Sequence, residues 1–72
     1  MNKMQDFQWR MVSEKQMLDD KIERLNTFIL GDVFPGLSLD ERNDMVLQLG
    51  AMRLYSHVLG IRIQRFNVVT LS

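Results

Sequence analysis

Apolar side chains recur every three or four residues along the first half of the chain, which is the spacing of one helix face. The row is Met4, Phe7, Met11, Glu14, Leu18, Lys21, Leu25 and Phe28, with Ile22 and Ile29 beside it. No glycine or proline interrupts it, and the residues do not alternate in polarity as a strand would require. The pattern predicts a first helix over about residues 4–30, packed through this heptad-like row.

The chain has one cluster of helix-breaking residues, at positions 31–36, where glycine, aspartate and proline come together. Ser38 and Glu41 follow it with the spacing of a capping box, in which the serine hydroxyl accepts from the Glu41 amide. We therefore expect a turn over residues 31–38 and a second helix over about residues 39–66. A connection this short makes the two helices antiparallel neighbours. Two outcomes stay open for residues 67–72, which are rich in Val and Thr: a β-like extension or a frayed end.

The second helix carries two apolar rows. One contains Met45, Leu49, Met52, Ser56, Leu59, Ile63 and Phe66, and the other contains Leu47, Ala51, Leu54, Val58 and Ile61. They are offset by two residues, roughly 200° around the helix. One row can pack on the first helix, and the other needs a different partner, most simply a second copy of the chain. The expected fold is therefore all-α: a single-domain antiparallel two-helix hairpin over residues 1–72 that assembles into a compact homo-oligomeric bundle.

Composition supports assembly by excluding the other ways of stabilising a small domain. The chain has 72 residues and no cysteine, and a lone core of that size rarely supplies more than about 3–5 kcal/mol. Disulfides and thiolate metal sites are excluded, and the single histidine, His57, cannot hold a metal without ligands from other chains. We expect no cofactor and no metal.

The net charge of zero hides an uneven distribution. All nine acidic residues lie between Asp6 and Asp44, whereas the only charges after residue 45 are Arg53, Arg62 and Arg65. These arginines are either solvated or, multiplied by oligomer symmetry, an anion site. Without net positive charge or a basic run, DNA and RNA are not expected partners. The chain also lacks an apolar run of membrane-spanning length and the apolar core of a signal peptide, so an intracellular location is expected, without membrane association.

No combination of residues typical of an enzyme active site is present, and an enzyme is not expected. Glu14 and Lys21 interrupt the apolar row; they either pair across a helix interface and fix its register, or line a pocket between subunits. Phe7 has the spacing of a core residue. Trp9 lies off the row beside Arg10, an arrangement in which the indole can stack on a nucleobase while the guanidinium meets a phosphate.

Two segments resemble a family of short phage proteins. Residues 7–29, which read FQWRMVSEKQMLDDKIERLNTFI, are similar to a stretch with an aromatic-Gln-x-Arg-Val-x-x-Glu-Lys opening, then Leu-x-x-Lys-Ile-x-x-Leu, ending in Phe-Ile. Residues 49–63, LGAMRLYSHVLGIRI, are similar to a Gln-x-x-Met-x-x-Tyr-x-x-Val-Leu-x-x-Arg-Ile pattern. That family resembles the phage anti-CBASS sponges, small helical proteins that assemble as compact oligomers, often hexamers. The sponges sequester cyclic di- and trinucleotide signals without cleaving them.

The resemblance implies an aromatic residue stacked on a base, matched by Phe7, and a lysine on a phosphate, for which Lys21 is the candidate. Phe7 stands where the family usually has tyrosine, which alters the expected ligand preference. Arg10 and Glu14 belong to the matched stretch, and Arg53 and Arg62 are candidates for a trinucleotide site. The implied function is an anti-defence protein acting on cyclic nucleotides in the host cytoplasm. The alternative is a structural or protein-binding helical oligomer, such as a phage assembly or regulatory factor, with no nucleotide ligand.

Overall fold

In the computed structural model, which describes the backbone of residues 5–71 and the side chains of residues 5–66, the chain is an all-α hairpin. Helix α1 comprises Asp6–Ile29, a 3₁₀ turn follows at Phe34–Gly36, and helix α2 comprises Leu39–Leu71. The two helices pack against each other, as predicted, and the described residues include no strand. Met4, assigned to the first helix, lies outside the described residues. Helix α2 continues past residue 66, so the backbone of residues 67–71 is helical and not a β-like extension.

Local hydrogen bonds define where each helix begins. The Gln5 amide donates to Gln8 Oε1 over 2.7 Å at the start of α1. At the start of α2 the Glu41 amide donates to Ser38 Oγ over 3.1 Å, which is the cap expected from the sequence. Between the helices, the Gly31 amide donates to the Phe28 carbonyl over 3.1 Å. The breaker cluster therefore produces a short, hydrogen-bonded reversal that sets α2 antiparallel to α1.

Helix α2 packs on α1 through the first of its two predicted rows. Leu49, Ser56 and Leu59 are buried, and Leu59 retains only 1% of its exposure. Met52, Ile63 and Phe66 are partly buried against the same core. The sequence spacing identified both rows, and the structure shows that the first of them faces α1.

The inward face of α1 differs from the predicted one. Met11 and Leu18 are buried, with Ile22 packed beside them, but four members of the predicted row are exposed: Phe7, Glu14, Lys21 and Phe28. A set of half-buried residues recurs instead at seven-residue intervals along α1: Gln8, Lys15, Ile22 and Ile29. The predicted row is therefore only partly the packing face, and Glu14 and Lys21 do not lie in the contact between the two helices of one chain. The physical reason is that α1 turns toward its isoleucines, which bury more apolar surface than the charged pair would.

The second row of α2, hereafter the outer row, faces away from α1. It comprises Leu47, Ala51, Leu54, Val58 and Ile61, all of which are exposed. The hairpin is a rod of 54 × 16 × 14 Å with a radius of gyration of 16.3 Å, compared with about 11 Å for a compact domain of this length. Its surface of 5850 Å² exceeds by on the order of 1,000 Å² the surface expected for a compact protein of this mass.

Candidate functional site

One flank of the hairpin carries a groove of about 300 Å³ that brings together three of the predicted site residues. Its lining is Arg10, Ser13, Glu14, Met17, Leu18, Lys21 and Tyr55. The volume is at the low end of the range of roughly 300–1,000 Å³ that small-molecule sites occupy. A ligand of nucleotide size would therefore fill the groove and extend beyond it.

The helical period explains why these side chains converge. Arg10, Glu14, Met17 and Lys21 follow one another at intervals of four, three and four residues, which places them along one side of α1. Tyr55 comes from α2, where it directly precedes the buried Ser56 and so lies at the edge of the helix contact. The groove thus presents two cations with a carboxylate between them, beside an aromatic ring.

The charged side chains of the groove have no partner within the described residues. No hydrogen bond or ion pair engages the side chains of Arg10, Glu14 or Lys21 across residues 5–66. Met17 accepts a weak hydrogen bond from Ser13 Oγ, with a donor–sulfur distance of 3.9 Å. The two cations and the carboxylate are consequently available to a ligand without breaking an internal contact.

A polar cluster joins the two helices on the side of α1 away from the groove, beyond the buried Met11 and Leu18. Lys15 Nζ lies 2.9 Å from Asp19 Oδ2 and 3.0 Å from Ser56 Oγ, and the Ser56 hydroxyl donates to the other carboxylate oxygen. The hydrogen bond from Lys15, followed by that from Ser56, lowers the pKa of Asp19 below its usual value. A methyl group at Gly60 would lie only 3.2 Å from Lys15 Cε, so this glycine leaves room for the lysine stem.

From the sequence, Glu14 and Lys21 were candidates for the polar residues within a helix contact. In the structure, the polar residues that join α1 and α2 are Lys15, Asp19 and Ser56 instead. Sequence reasoning missed Lys15 and Tyr55. One signal did point to the cluster: Ser56 stands in an otherwise apolar row, and a buried hydroxyl needs a polar partner.

The remaining predicted site residues are dispersed. Phe7 lies one turn before Arg10 on the same side of α1 and is 56% exposed. Trp9 is 58% exposed and, two residues from the buried Met11, points to the far side of the helix. Arg53 Nη2 donates to Asn26 Oδ1 over 3.2 Å, which ties α2 to α1. The structure therefore does not bring Trp9 or Arg53 into the groove.

Arg62 is exposed and lies seven residues after Tyr55, two turns along the same side of α2. No described hydrogen bond or ion pair engages its side chain. Arg62 therefore lies on the same side of α2 as the groove residue Tyr55, but it is not one of the residues that line the groove.

A second depression, of about 430 Å³, lies elsewhere on α1 and is lined by Asp20, Glu23, Arg24 and Thr27. Two carboxylates and one cation disfavour an anionic ligand there. Among the described residues, no group of three or more acidic or histidine side chains is placed to hold a metal ion. No helix in the described part of the chain is sufficiently long and apolar to span a membrane.

Comparison with curated proteins and with solved structures finds no match. Comparison with protein families matches residues 5–65 to Sequestin, a family whose name indicates sequestration. The matched region takes in all of α1, the turn and most of α2. It includes both segments on which the resemblance to sponge proteins rests. Because the match covers most of its length, the chain belongs to the Sequestin family.

Proposed function

We propose that this protein is a phage anti-defence protein that binds and sequesters cyclic di- or trinucleotide signals of CBASS-type immunity without cleaving them. Its place of action would be the cytoplasm of the host cell. The observation that carries the proposal is the groove that Arg10, Glu14, Lys21 and Tyr55 line, in which the three charged side chains have no partner among residues 5–66. Membership of a family named for sequestration supports it.

The groove chemistry suits a nucleotide. Arg10 and Lys21 offer charge-assisted hydrogen bonds to phosphates; their Cα atoms are separated by eleven residues, or about 16 Å along the helix axis. This separation favours a ligand with two distinct phosphates. Tyr55 offers a ring on which a base can stack. Glu14, between the cations, can accept a hydrogen bond from the amino group of a base.

The proposal includes a homo-oligomer, of which the hexamers of the sponge proteins are one form. A groove of about 300 Å³ open to solvent encloses only part of a cyclic dinucleotide. A second subunit placed against this flank would supply the missing wall. Its Phe7 ring and its Arg62 guanidinium are candidates for contact with the ligand.

Calorimetric titration of the full-length protein with cyclic di- and trinucleotides tests the proposal. Linear dinucleotides, cyclic mononucleotides and cyclic ADP-ribose serve as comparison ligands. We expect tight binding of at least one cyclic di- or trinucleotide, and recovery of that ligand intact by chromatography after heat denaturation. Binding confined to a comparison ligand would reject the proposed ligand class, and a cleaved product would reject sequestration.

Substitutions test whether the groove is the site. Lys21→Ala should weaken binding by about 10–100-fold, because it removes one charge-assisted contact. Arg24→Ala is the matched control, since it removes a cation one turn away that lines the other depression. Tyr55→Ala should cost about 10-fold or more through lost stacking. Equal losses for Lys21→Ala and Arg24→Ala would exclude this groove.

The exposed outer row favours a second candidate function, a structural or protein-binding oligomer without a nucleotide ligand. In that case the titrations show no binding, and Lys21→Ala changes nothing but stability.

A further inference from the structure

We infer that two copies of this chain associate through the outer row of α2, with the two α2 helices antiparallel about a two-fold axis at Leu54. The contact does not depend on a nucleotide, and the experiments below measure it without ligand.

The outer row is an apolar stripe that the hairpin leaves uncovered. Leu47 is 72% exposed and Leu54 is 65% exposed, and Val58 and Ile61 are also open to solvent. The row spans fourteen residues, or about 21 Å of helix. The excess surface of the rod, on the order of 1,000 Å², is comparable with the roughly 800 Å² that each partner buries in a standard protein interface. Association with a second copy would therefore remove about as much surface as the rod has in excess of a compact domain.

The outer row can pack against a second, antiparallel copy of itself when the two copies are centred on Leu54. Leu47 and Ile61 lie seven residues before and after Leu54, so in an antiparallel pair Leu47 lies opposite the partner's Ile61. Gly50 and Val58 lie four residues before and after it, so a glycine lies opposite the partner's Val58. Nothing in the hairpin lies within 4 Å of a methyl group built at Gly50, so this position is open to a side chain from outside. The two-fold axis thus sets Gly50 against a larger side chain and sets Leu47 against another apolar one, each pairing occurring twice as in any isologous interface.

The charges beside the row select the antiparallel orientation. Asp44 and Arg62 are separated by eighteen residues, five full helical turns, so they lie on the same flank of α2. A two-fold axis perpendicular to the helices brings like flanks together and sets Asp44 close to the partner's Arg62, twice. A parallel pair would instead bring the acidic starts of both α2 helices together and both arginine-bearing ends together. Such like-charge contacts disfavour the wrong arrangement more than the exposed ion pairs stabilise the right one.

Both partners of this proposed pair are free to form it. Asp44 and Arg62 are exposed, and no hydrogen bond or ion pair within the described residues engages either side chain. This matching of opposite charges, together with the self-complementary row, identifies a second copy of the chain as the occupant in preference to an unrelated protein.

Cysteine crosslinking tests the register, because the chain has no cysteine of its own. A disulfide requires Cα atoms within about 7 Å. Leu54→Cys, on the axis, should form a covalent dimer under mild oxidation. Leu47→Cys should remain uncrosslinked, since its two copies would lie about 21 Å apart along the axis. Leu47→Cys mixed with Ile61→Cys should form the mixed dimer. Leu30→Cys, in the turn, is the exposed control and should not crosslink.

Charge reversal tests the orientation independently of crosslinking. In sedimentation equilibrium at low salt, Asp44→Arg and Arg62→Asp should each weaken association several-fold, and the double variant should restore it. Crosslinking of Leu47→Cys to itself would show a parallel pair and overturn the inference. So would a Leu54→Cys protein that stays monomeric, or a double variant that associates no better than the single ones.

Discussion

Lys15, Asp19 and Ser56 show how single residues determine the way the two helices meet. Their side chains form a closed set of hydrogen bonds between positions 37 and 41 residues apart in sequence. The buried Ser56 hydroxyl would otherwise be left without a partner, at a cost of about 1–3 kcal/mol. Gly60 contributes by leaving space for the lysine stem. Because these hydrogen bonds form only when the three residues are aligned, the cluster favours one register of α2 on α1 along an otherwise apolar contact.

The lowered pKa of Asp19 gives the cluster a defined pH dependence. The hydrogen bond from Lys15, aided by Ser56, favours the ionised carboxylate in the folded state. Its stabilising effect is therefore fully present above the unfolded-state pKa of about 3.9 and is lost as the pH falls through the lower folded-state value. We expect Asp19→Asn to have a lower Tm than the wild type at pH 6, and the gap to close at acidic pH.

Thermal unfolding followed by circular dichroism between neutral and strongly acidic pH measures this gap. Asp20→Asn is the control, because Asp20 has no hydrogen bond to the other helix among the described contacts. A gap between the wild type and Asp19→Asn that stays constant over the whole range would contradict the assignment.

The helices depend on a narrow apolar contact. Only four apolar side chains in the described part of the chain are buried: Met11, Leu18, Leu49 and Leu59. Leu59 is the most enclosed of them, and it belongs to the same core cluster as Met11 and Leu18. Isolated helices are marginally stable in water, so most of the stability of α1 and α2 comes from this contact and not from their intrinsic propensity. The loss of one buried residue therefore removes a large part of it.

Leu59→Ala should therefore cost about 2–5 kcal/mol, the range for removing a buried leucine side chain. This is comparable with the roughly 3–5 kcal/mol that a core of this size supplies, so much of the helical signal at 222 nm should disappear at 25 °C. Leu30→Ala makes the same chemical change at a position that is 78% exposed, and surface changes usually cost less than about 0.5 kcal/mol. Similar losses for both variants would show that Leu59 is not the centre of the core.

As a whole molecule, the hairpin is a rod with one covered and one uncovered face on α2. The covered face holds the subunit together, and the outer row leaves the chain with more apolar surface than a small monomer ordinarily presents. The candidate groove lies on a flank, between α1 and the edge of α2. None of the outer-row residues lines the groove, so the proposed subunit contact and the groove use different side chains.

Association through the outer row should couple stability to concentration. A dimer that forms only from folded subunits raises Tm as the protein concentration increases. We expect this rise for the wild type and for Leu30→Arg, and its loss for Leu54→Arg, which places two like charges at the proposed axis. Differential scanning calorimetry over a hundredfold concentration range measures it. A Leu54→Arg protein with an unchanged concentration dependence would place the contact on another face.

The sequence by itself determined the two helices, the turn and both rows of α2. These features depend on local spacing and on capping residues such as Ser38, which act within a few residues. It also placed Glu14 and Lys21 on one side of α1 through their seven-residue spacing, whereas Arg10 was singled out beside Trp9 and its grouping with them came from the structure.

Only the tertiary structure decided which side of α1 faces α2. The rotation of one helix against another depends on side chains from both, and here Ile22, Ile29 and the Lys15–Ser56 contact turn α1 away from its apparent heptad row. Because of this rotation, Glu14 and Lys21 lie in an exposed groove and not between the two helices, and Tyr55 lies beside them. Spacing along one helix cannot show this, because the partners that set the rotation lie about forty residues away in sequence.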